Sequence, residues 1–234
     1  MFLLGCSIVA IIISAQRVKR TAQRQVDFVS SVSHEFRTPL AVIYSAGENL
    51  ADGVAKEDGQ VSRYGDMIKG EGRKLSGMVE QILDFAGANS GKKKYTLTET
   101  AVGEVINDAI DACRPLIDEK SIAVETNIPA LPSINADKNA LTQAVQNLLI
   151  NSVKYSNGGT KMHINAENGG GKIKILVEDE GIGISKSDLR QVFEPFYRSR
   201  EVVDAQIHGN GLGLSLVKQI VEAHHGTIEV ISEV

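Results

Sequence analysis

The stretch VDFVSSVSHEFRTPLAVIYSAGENL, residues 26–50, decides the fold of the first part of the chain. Apolar and small residues recur in it alternately three and four positions apart. They are Val26, Val29, Ser33, Phe36, Leu40, Ile43, Gly47 and Leu50. This spacing is typical of the seam of a helix that packs against other helices. We therefore predict one long helix across residues 26–50.

A second series of the same kind begins after a break at residues 51–59, ADGVAKEDG. Its members are Val61, Tyr64, Ile68, Glu71, Leu75, Met78, Ile82 and Phe85, of which only Glu71 is charged. The two series predict an antiparallel helical hairpin. A hairpin with one apolar stripe on each helix has too little core to stand alone. We expect self-association into a four-helix bundle, and therefore a homodimer.

His34 lies off this seam, on a side of the helix that it shares with Arg37 and Thr38 and that faces solvent. A solvated polar face would explain such a group by itself. Pro39 favours a functional face, because a proline inside a helix removes a backbone hydrogen bond, bends the helix and costs about 3 kcal/mol. We interpret the exposed His34–Glu35 pair, followed by a bend, as a reactive site.

The first residues of the chain have the composition of a membrane-spanning segment. Residues 2–15, FLLGCSIVAIIISA, are uncharged and are followed at once by the basic QRVKR. As a helix they would span about 21 Å, less than the roughly 30 Å hydrocarbon core of a bilayer. We interpret them as the end of a transmembrane helix at the cell membrane. A signal-peptide core and a buried helix of a soluble fold remain alternatives.

Composition restricts the compartment and the partners. The chain has 25 Lys and Arg against 29 Asp and Glu, and the net charge of -4 gives no electrostatic reason to expect nucleic acid as a partner. Its two cysteines, Cys6 and Cys113, do not suggest a disulfide framework. We expect the part of the chain after the first helix to be cytoplasmic.

The second half of the chain has a mixed α/β pattern after a small-residue and basic linker, GANSGKKKY, at residues 87–95. We predict helices near 103–118, at 138–156 with Asp137 as the N-cap, and at 211–225. We predict strands at 121–128, 161–167, 172–180 and 226–234, with a hairpin joining the second and third. The fold class is an α+β sandwich, a mixed sheet covered by helices on one face.

The helix at 138–156 carries a polar stripe formed by Asn147, Asn151 and Lys154. Asparagine is a mediocre helix former, and an ordinary solvated face would more often use Glu, Lys or Gln. Amide oxygens can bind a metal and lysine can bind a phosphate group. A solvated face remains an equally good explanation of these three residues alone.

Two glycine-rich motifs follow. In EDEGIGI an acid, Asp179, ends a strand and precedes Gly181 and Gly183. The carboxylate can accept from an exocyclic amine and the glycines let a flat ring approach the backbone, although a common glycine-rich turn after a strand is the better explanation of this motif alone. HGNGLGLS, residues 208–215, leads into a helix N-terminus, which favours phosphate, but it lacks the Lys-Ser/Thr ending of a P-loop.

The order of the motifs carries more information than any one of them. HEFRTPL, NLLINSVKYS, DEGIGI, FEPFYR and GNGLGLS, in this order, resemble the sensor histidine kinases of two-component signalling over about residues 20–234. The resemblance implies three regions. They are a truncated transmembrane helix at 1–16, a dimerisation and histidine phosphotransfer domain at 17–90, and a catalytic ATP-binding domain at 91–234 that lacks its last strand.

The resemblance also implies an activity. The chain would use ATP and Mg²⁺ to phosphorylate His34 and would pass the phosphoryl group to an aspartate of a response regulator, with dephosphorylation of that regulator as a further expected activity. A dimeric nucleotide-binding scaffold without turnover is an alternative from another class. An ATPase of the chaperone or topoisomerase type, which shares the nucleotide-binding fold, is a third.

Residue roles follow from the same resemblance. His34 would be the phospho-acceptor, Glu35 the acid that assists proton removal, Thr38 the holder of a water molecule for dephosphorylation, and Asn151 the Mg²⁺ ligand. Residues 195–208, PFYRSREVVDAQIH, would form a mobile lid over ATP. The remaining nucleotide-binding positions would be Asn147, Lys154, Tyr155, Asp179, Gly181, Gly183, Arg198, Gly209, Gly211, Gly213 and Leu214.

Overall fold

The computed structural model describes residues 2–54, 58–89, 94–205, 207 and 209–234. The chain divides into two compact units. The first comprises Met1–Ile82 together with His208–Gly211, and the second comprises Leu83–Ile207 together with Leu212–Val234.

The first unit is a helical hairpin, as the sequence predicted. Helix α1 spans Phe2–Ala51 and helix α2 spans Asp58–Asn89. The end of α1 is closed by a bond from the Val54 amide to the Asn49 carbonyl, 3.0 Å long, and by Gly53, whose φ of +66° places it in the left-handed region that glycine tolerates. The predicted break in the pattern therefore coincides with the turn.

Helix α1 continues through Pro39, so the proline does not end it. The predicted bend at this position remains a prediction. Every described helix falls short of the length or the apolar character that crossing a membrane requires. The side chains of residues 2–14 lie outside those that the structure describes, and the predicted membrane anchor at residues 2–15 remains a prediction.

Burial along the hairpin partly follows the two predicted series. On α2 the half-buried positions include Tyr64, Ile68, Leu75, Met78 and Ile82, as predicted. The charged member, Glu71, keeps only 19% of its side chain exposed and pairs with Lys74 at 2.7 Å. Where the structure describes the side chains of α1, Pro39 and Ala46 are buried, whereas Val26, Val29 and Leu40 of the predicted seam are exposed. Helix α1 thus carries a second apolar face that this single chain does not cover.

The second unit contains five strands and four helices among its described residues. The strands are β1 Thr98–Thr100, β2 Ala123–Asn127, β3 Ile134–Ala136, β4 Lys161–Gly169 and β5 Lys172–Asp179. The helices are α3 Val102–Glu119, α4 Lys138–Tyr155, α5 Arg200–Asp204 and α6 Gly213–Ala223. Strands β1 and β3 pair antiparallel, while β2, β4 and β5 form a mixed sheet in that order. The predicted mixed sheet covered by helices is confirmed.

The core of this unit lies between β4 and the helices α3 and α4. Inward residues of β4 such as Ile164 pack with Ile106 of α3 and Leu149 of α4, all with essentially no exposed surface. Cys113 belongs to the same cluster, and burial raises the pKa of its thiol to about 11. A second cluster joins Ala140 and Ala144 of α4 to Leu216, Val217 and Ile220 of α6. Helix α4 is therefore held from two sides.

The predicted N-cap of α4 is confirmed. The Asp137 carboxylate accepts from the amide of Ala140 at 3.0 Å and from the amide of Thr96 at 2.9 Å. Burial is the largest single influence and would raise the pKa of this carboxyl, but the amides of Ala140, Thr96 and Asn139 together with the nearby His224 outweigh burial and lower the pKa. The Asp137 amide donates to Nε2 of His224 at 3.0 Å, so the start of α4 is also tied to the end of α6.

The predicted strand at residues 226–234 is wrong. This segment has no regular secondary structure, and Ile231 and Val234 are each more than 90% exposed. A strand needs a continuous ladder of backbone bonds, whereas the Ser232 hydroxyl accepts one bond from the Ile184 amide at 2.9 Å. Among the described strands, β5 is consequently an edge of its sheet.

Candidate functional site

The histidine of the first unit occupies an open position. His34, Arg37 and Thr38 are all exposed on α1, as predicted, while Glu35 is half-buried. The Ser33 hydroxyl donates to the Val29 carbonyl four residues earlier, at 2.7 Å, a bond that tends to bend a helix. His34 therefore follows one helix-bending feature directly and precedes another, the proline at position 39, by little more than one turn.

The two asparagines of α4 are not an ordinary solvated face. Asn147 is only 8% exposed and its amide nitrogen donates to the Gln143 carbonyl at 2.9 Å. Asn151 is half-buried, and in the part of the chain that the structure describes its amide makes no hydrogen bond. One amide is thus fixed to the helix while the other is available to a ligand.

The first turn of α6 lies directly against these amides. A Cβ atom at Gly213 would stand 3.3 Å from Oδ1 of Asn147 and 3.7 Å from Nδ2 of Asn151. A side chain at this position would therefore crowd the amide of Asn147. The first amide groups of a helix have no partner within it and carry partial positive charge, so this turn is suited to an anion. Leu214, the next residue, is half-buried.

The acid at the end of β5 is held at both oxygens. Oδ2 of Asp179 accepts from the Ser152 hydroxyl of α4 at 2.8 Å, and Oδ1 accepts from the Gly181 amide at 3.0 Å. Asp179 is nevertheless exposed. A Cβ atom at Gly181 would stand 2.7 Å from Oδ1 of Asp179 and 3.1 Å from the Tyr155 carbonyl, so a larger residue here would displace the Asp179 carboxylate.

Residues at the end of α4 complete this region. The ammonium of Lys154 lies 4.8 Å from the centroid of the Tyr155 ring, a cation–π distance. The Tyr155 carbonyl accepts from the Ile182 amide at 3.2 Å, which joins α4 to the segment after β5. Gly183 has a φ of +72° and backbone atoms of Glu233 lie directly against it, so a side chain has neither the conformation nor the space it would need.

The segment between β5 and α6 has its own internal contacts. Nη2 of Arg198 donates to the Ile207 carbonyl at 2.6 Å, and the Tyr197 hydroxyl donates to Asp188 at 2.7 Å. Residues 206 and 208 of the predicted lid lie outside the described residues. Gly209 and Gly211 belong to the short segment that groups with the first unit, and both have positive φ.

The structure thus brings several predicted residues together in the second unit. Asn147, Asn151 and Gly213 meet at one place, and Tyr155, Asp179 and Gly181 meet at the end of the same helix. Sequence reasoning missed Ser152. A hydroxyl directly after Asn151, next to the polar stripe, was the signal that could have identified it.

Lys120 was also missed. From the end of α3 its ammonium donates to the carbonyls of Val153, Ser156 and Lys154, at 2.7, 2.9 and 3.2 Å. Local sequence pattern does not predict this contact, because 33 residues separate Lys120 from Val153.

Two family models match this chain. Residues 24–91 match the His Kinase A (phospho-acceptor) domain. Residues 136–234 match the histidine kinase-, DNA gyrase B-, and HSP90-like ATPase. The class of protein is therefore a phospho-acceptor helical hairpin followed by an ATPase domain of this type.

Individual relatives agree with this class. The sensor-like histidine kinase SenX3 of Mycolicibacterium smegmatis is 30% identical over 207 residues, which cover 88% of this chain and 54% of the relative. The structure of ShkA in complex with AMPPNP has a TM-score of 0.60 and 26% identity, covering 83% of this chain and 40% of that one. The structure of histidine kinase ThkA in complex with the response regulator protein TrrA has a TM-score of 0.57 and 22% identity, covering 86% and 55%, and shows a shared fold.

The chain belongs to the sensor histidine kinases of two-component systems. It spans about half the length of the SenX3 relative that it matches.

Proposed function

We propose that this chain is an ATP-dependent protein-histidine kinase that phosphorylates His34. The observation that carries the proposal is the pairing of two features in one chain. The first unit exposes His34 beside Glu35 on a helix, and the second unit assembles polar amides, an exposed acid and a helix N-terminus. Membership of the kinase family supports the same reading.

The second unit would bind ATP along α4. At one end, Asp179 is an acceptor for the exocyclic amine of adenine, and Gly181 leaves room for a flat ring. At the other, the free amides at the start of α6 and the side chain of Asn147 are placed for the phosphate groups. Lys154 and Tyr155 would contribute positive charge and an aromatic face.

The residues present fit a Mg²⁺ ion that accompanies ATP. Asn151 offers an amide oxygen that is half-buried and, within the described residues, has no hydrogen-bond partner. Mg²⁺ usually takes few protein ligands together with water and substrate phosphates, so one protein oxygen beside the phosphate groups fits this ion. When bound, the ion neutralises phosphate charge during transfer.

Phosphoryl transfer to His34 needs alignment more than covalent assistance. Imidazole is available as a neutral nucleophile near pH 7. A ring nitrogen of His34 forms a bond to the γ-phosphorus, the bond from that phosphorus to the bridging oxygen breaks, and ADP leaves. Glu35 would accept the proton of the other ring nitrogen. The exposure of His34 allows a separate unit to deliver ATP.

The partners follow from the same surfaces. A receiver domain of a response regulator would take the phosphoryl group from His34 onto an aspartate, and a relative of the same fold, ThkA, was solved in complex with its regulator TrrA. A homodimer would cover the exposed apolar face of the hairpin. The exposed apolar residues of the hairpin include Val26, Val29, Leu40, Tyr44, Val61, Met67, Val79 and Leu83.

Incubation with γ-labelled ATP tests the proposal. The full chain should gain label that is stable in base and lost in acid, as expected for phosphohistidine. His34→Gln should abolish this label and leave ATP affinity unchanged, because His34 lies in the other unit. His163→Gln is the matched control, since the His163 side chain on β4 is 40% exposed and its Nδ1 lies 3.3 Å from the Glu125 carboxylate, in the second unit.

The outcomes separate the alternatives. Labelling of His34→Gln at the wild-type rate would show that another residue is the acceptor. ATP binding without label or hydrolysis would favour the scaffold, and ATP hydrolysis without label would favour an ATPase of the chaperone or topoisomerase type.

A further inference from the structure

We propose that Ser152 is a positioning residue that fixes the Asp179 carboxylate in the orientation that accepts the amine of the nucleotide base. The inference rests on the proposed function, because it takes Asp179 as the residue that contacts the base. The observation behind it is the hydrogen bond of 2.8 Å from the Ser152 hydroxyl to Oδ2 of Asp179.

An aspartate does not fix its own carboxylate plane. The final torsion of the side chain joins an sp³ carbon to an sp² carbon and has a broad, roughly two-fold profile. Asp179 is also exposed, so packing does not restrict the torsion. The two hydrogen bonds act on different oxygens, Ser152 on Oδ2 and the Gly181 amide on Oδ1, and together they define the plane.

Ser152 is a rigid donor. Its side chain belongs to a residue that is 5% exposed, on a helix held by the core on one side and by α6 on the other. A serine within a helix often donates to the carbonyl four residues earlier. A hydroxyl has a single proton, and here that proton points across to β5. The direction of the carboxylate is therefore set by α4 itself.

The arrangement has a consequence for base selection. An ionised carboxylate has about four acceptor sites, and Ser152 and Gly181 occupy one on each oxygen. The sites that remain can only accept. Adenine presents an amine donor at the position where guanine presents a carbonyl acceptor. A carboxylate held in one plane favours adenine, whereas one free to rotate can turn away from the guanine carbonyl.

A double-mutant cycle on the full chain tests this role. The affinity for AMPPNP with Mg²⁺ is measured by calorimetric titration for the wild type, Ser152→Ala, Asp179→Asn and the double variant. Ser152→Ala should weaken binding by about tenfold, as expected when a charged acceptor loses a donor. The same change in the Asp179→Asn background should alter affinity by less than about twofold, because the group that Ser152 positions is already altered.

The matched control is Ser156→Ala. Ser156 is also buried, one turn further along at the end of the same helix, but its hydroxyl has no hydrogen-bond partner among the described residues. This variant should bind AMPPNP like the wild type. Alanine is a better helix former than serine, so Ser152→Ala should fold, and a thermal unfolding curve checks that it does. A second measurement, the ratio of ATP to GTP affinity, should fall in Ser152→Ala and stay unchanged in Ser156→Ala.

Two results would overturn the inference. One is an unchanged affinity in Ser152→Ala, and the other is an equal loss in the wild-type and Asp179→Asn backgrounds, which would mean that Ser152 acts without Asp179. Failure of the proposed function would give different binding results. In that case the wild type would not bind AMPPNP, or Asp179→Asn would bind as tightly as the wild type.

Discussion

The ammonium of Lys120, just after α3, donates a hydrogen bond of 2.7 Å to the carbonyl oxygen of Val153 in the last turn of α4. Two further bonds reach the carbonyls of Lys154 and Ser156. The last carbonyl groups of a helix have no partner within it and carry partial negative charge. One cation thus satisfies several of these groups at the end of α4 where Tyr155 lies.

Lys120→Met should therefore weaken both the fold and the nucleotide site. It keeps the apolar stem and removes the charge, so we expect the free energy of unfolding to fall by about 2 kcal/mol, because buried carbonyls lose a charged donor. ATP affinity should fall as well, because the end of α4 loosens. Chemical denaturation and calorimetric titration measure the two effects.

Lys172→Met is the matched control for this prediction. Lys172 is exposed at the start of β5, and its replacement should change neither quantity. Equal unfolding free energies for Lys120→Met and Lys172→Met would show that the three carbonyl contacts contribute nothing to stability.

Gly181→Ala should impair ATP binding without a broad loss of fold. The new methyl group would stand 2.7 Å from Oδ1 of Asp179, so the carboxylate would have to move. We expect affinity to fall on the order of tenfold, since the acceptor for the base is displaced. Gly169→Ala is the control, because a Cβ atom there meets nothing within 4 Å. A Gly181→Ala variant that binds ATP as tightly as Gly169→Ala would contradict the prediction.

Asp137 should make the second unit sensitive to acid. The amides of Ala140 and Thr96 lower the pKa of its carboxyl in the folded state. The unfolded chain then binds the proton more readily, so the stabilisation is present above the unfolded pKa and is lost as pH falls through the folded pKa. With an ordinary aspartate value near 3.9, the loss should begin at about pH 4 to 5.

Asp137→Asn tests this assignment. Denaturation of the full chain between pH 3 and pH 7 should show a smaller loss of stability toward acid than in the wild type. At neutral pH the variant should lose roughly 1 kcal/mol, the usual scale for a weakened helix cap. Asp111→Asn is the control, because the Asp111 side chain is 74% exposed and pairs with Arg114 at 3.4 Å. Identical acid profiles for the wild type and Asp137→Asn would contradict the assignment.

Local pattern was enough to predict most of this fold. The helices α1 to α4 and the β4–β5 hairpin have strong periodicity, and Asp137 marks the start of α4 in sequence as in structure. The short strands β1 and β3 were not predicted, because each has three residues and depends on a distant partner. Thr100 of β1, for example, donates its hydroxyl to the Ala136 carbonyl of β3 at 3.0 Å. The same dependence on a partner explains the wrong strand at 226–234.

In the candidate site, too, some residues could be predicted from local pattern and others depend on distant contacts. The polar stripe of α4 and the glycines after β5 stand out in the sequence because their residue types are unusual for their positions. Ser152 and Lys120 do not stand out, because each matters through a contact with a distant residue. Ser152 contacts Asp179, 27 residues away, and Lys120 contacts Val153, 33 residues away. A sequence identifies which groups can do chemistry more readily than it identifies which groups hold them in place.

Thr38 supplies the last prediction, which separates the two activities expected of the hairpin. It is exposed on α1 four residues after His34, so the two side chains lie on the same face, roughly 6 Å apart between their Cβ atoms. A hydroxyl at that distance can hold a water molecule near a phosphorylated partner seated on His34. It is far along the chain from every residue assigned to ATP. Thr38→Ala should therefore keep most self-labelling and lose most of its ability to dephosphorylate a receiver domain.

The measurement uses a receiver domain that the wild-type chain can label, purified in its phosphorylated form. Loss of label is followed with an excess of the wild type, of Thr38→Ala or of the control Ser45→Ala, which removes another exposed hydroxyl from the same helix. Only Thr38→Ala should slow the loss. Equal rates for all three proteins would show that the Thr38 hydroxyl has no part in dephosphorylation. A parallel drop in self-labelling by Thr38→Ala would instead place this hydroxyl in the kinase reaction, because the variant leaves the ATP-binding unit untouched.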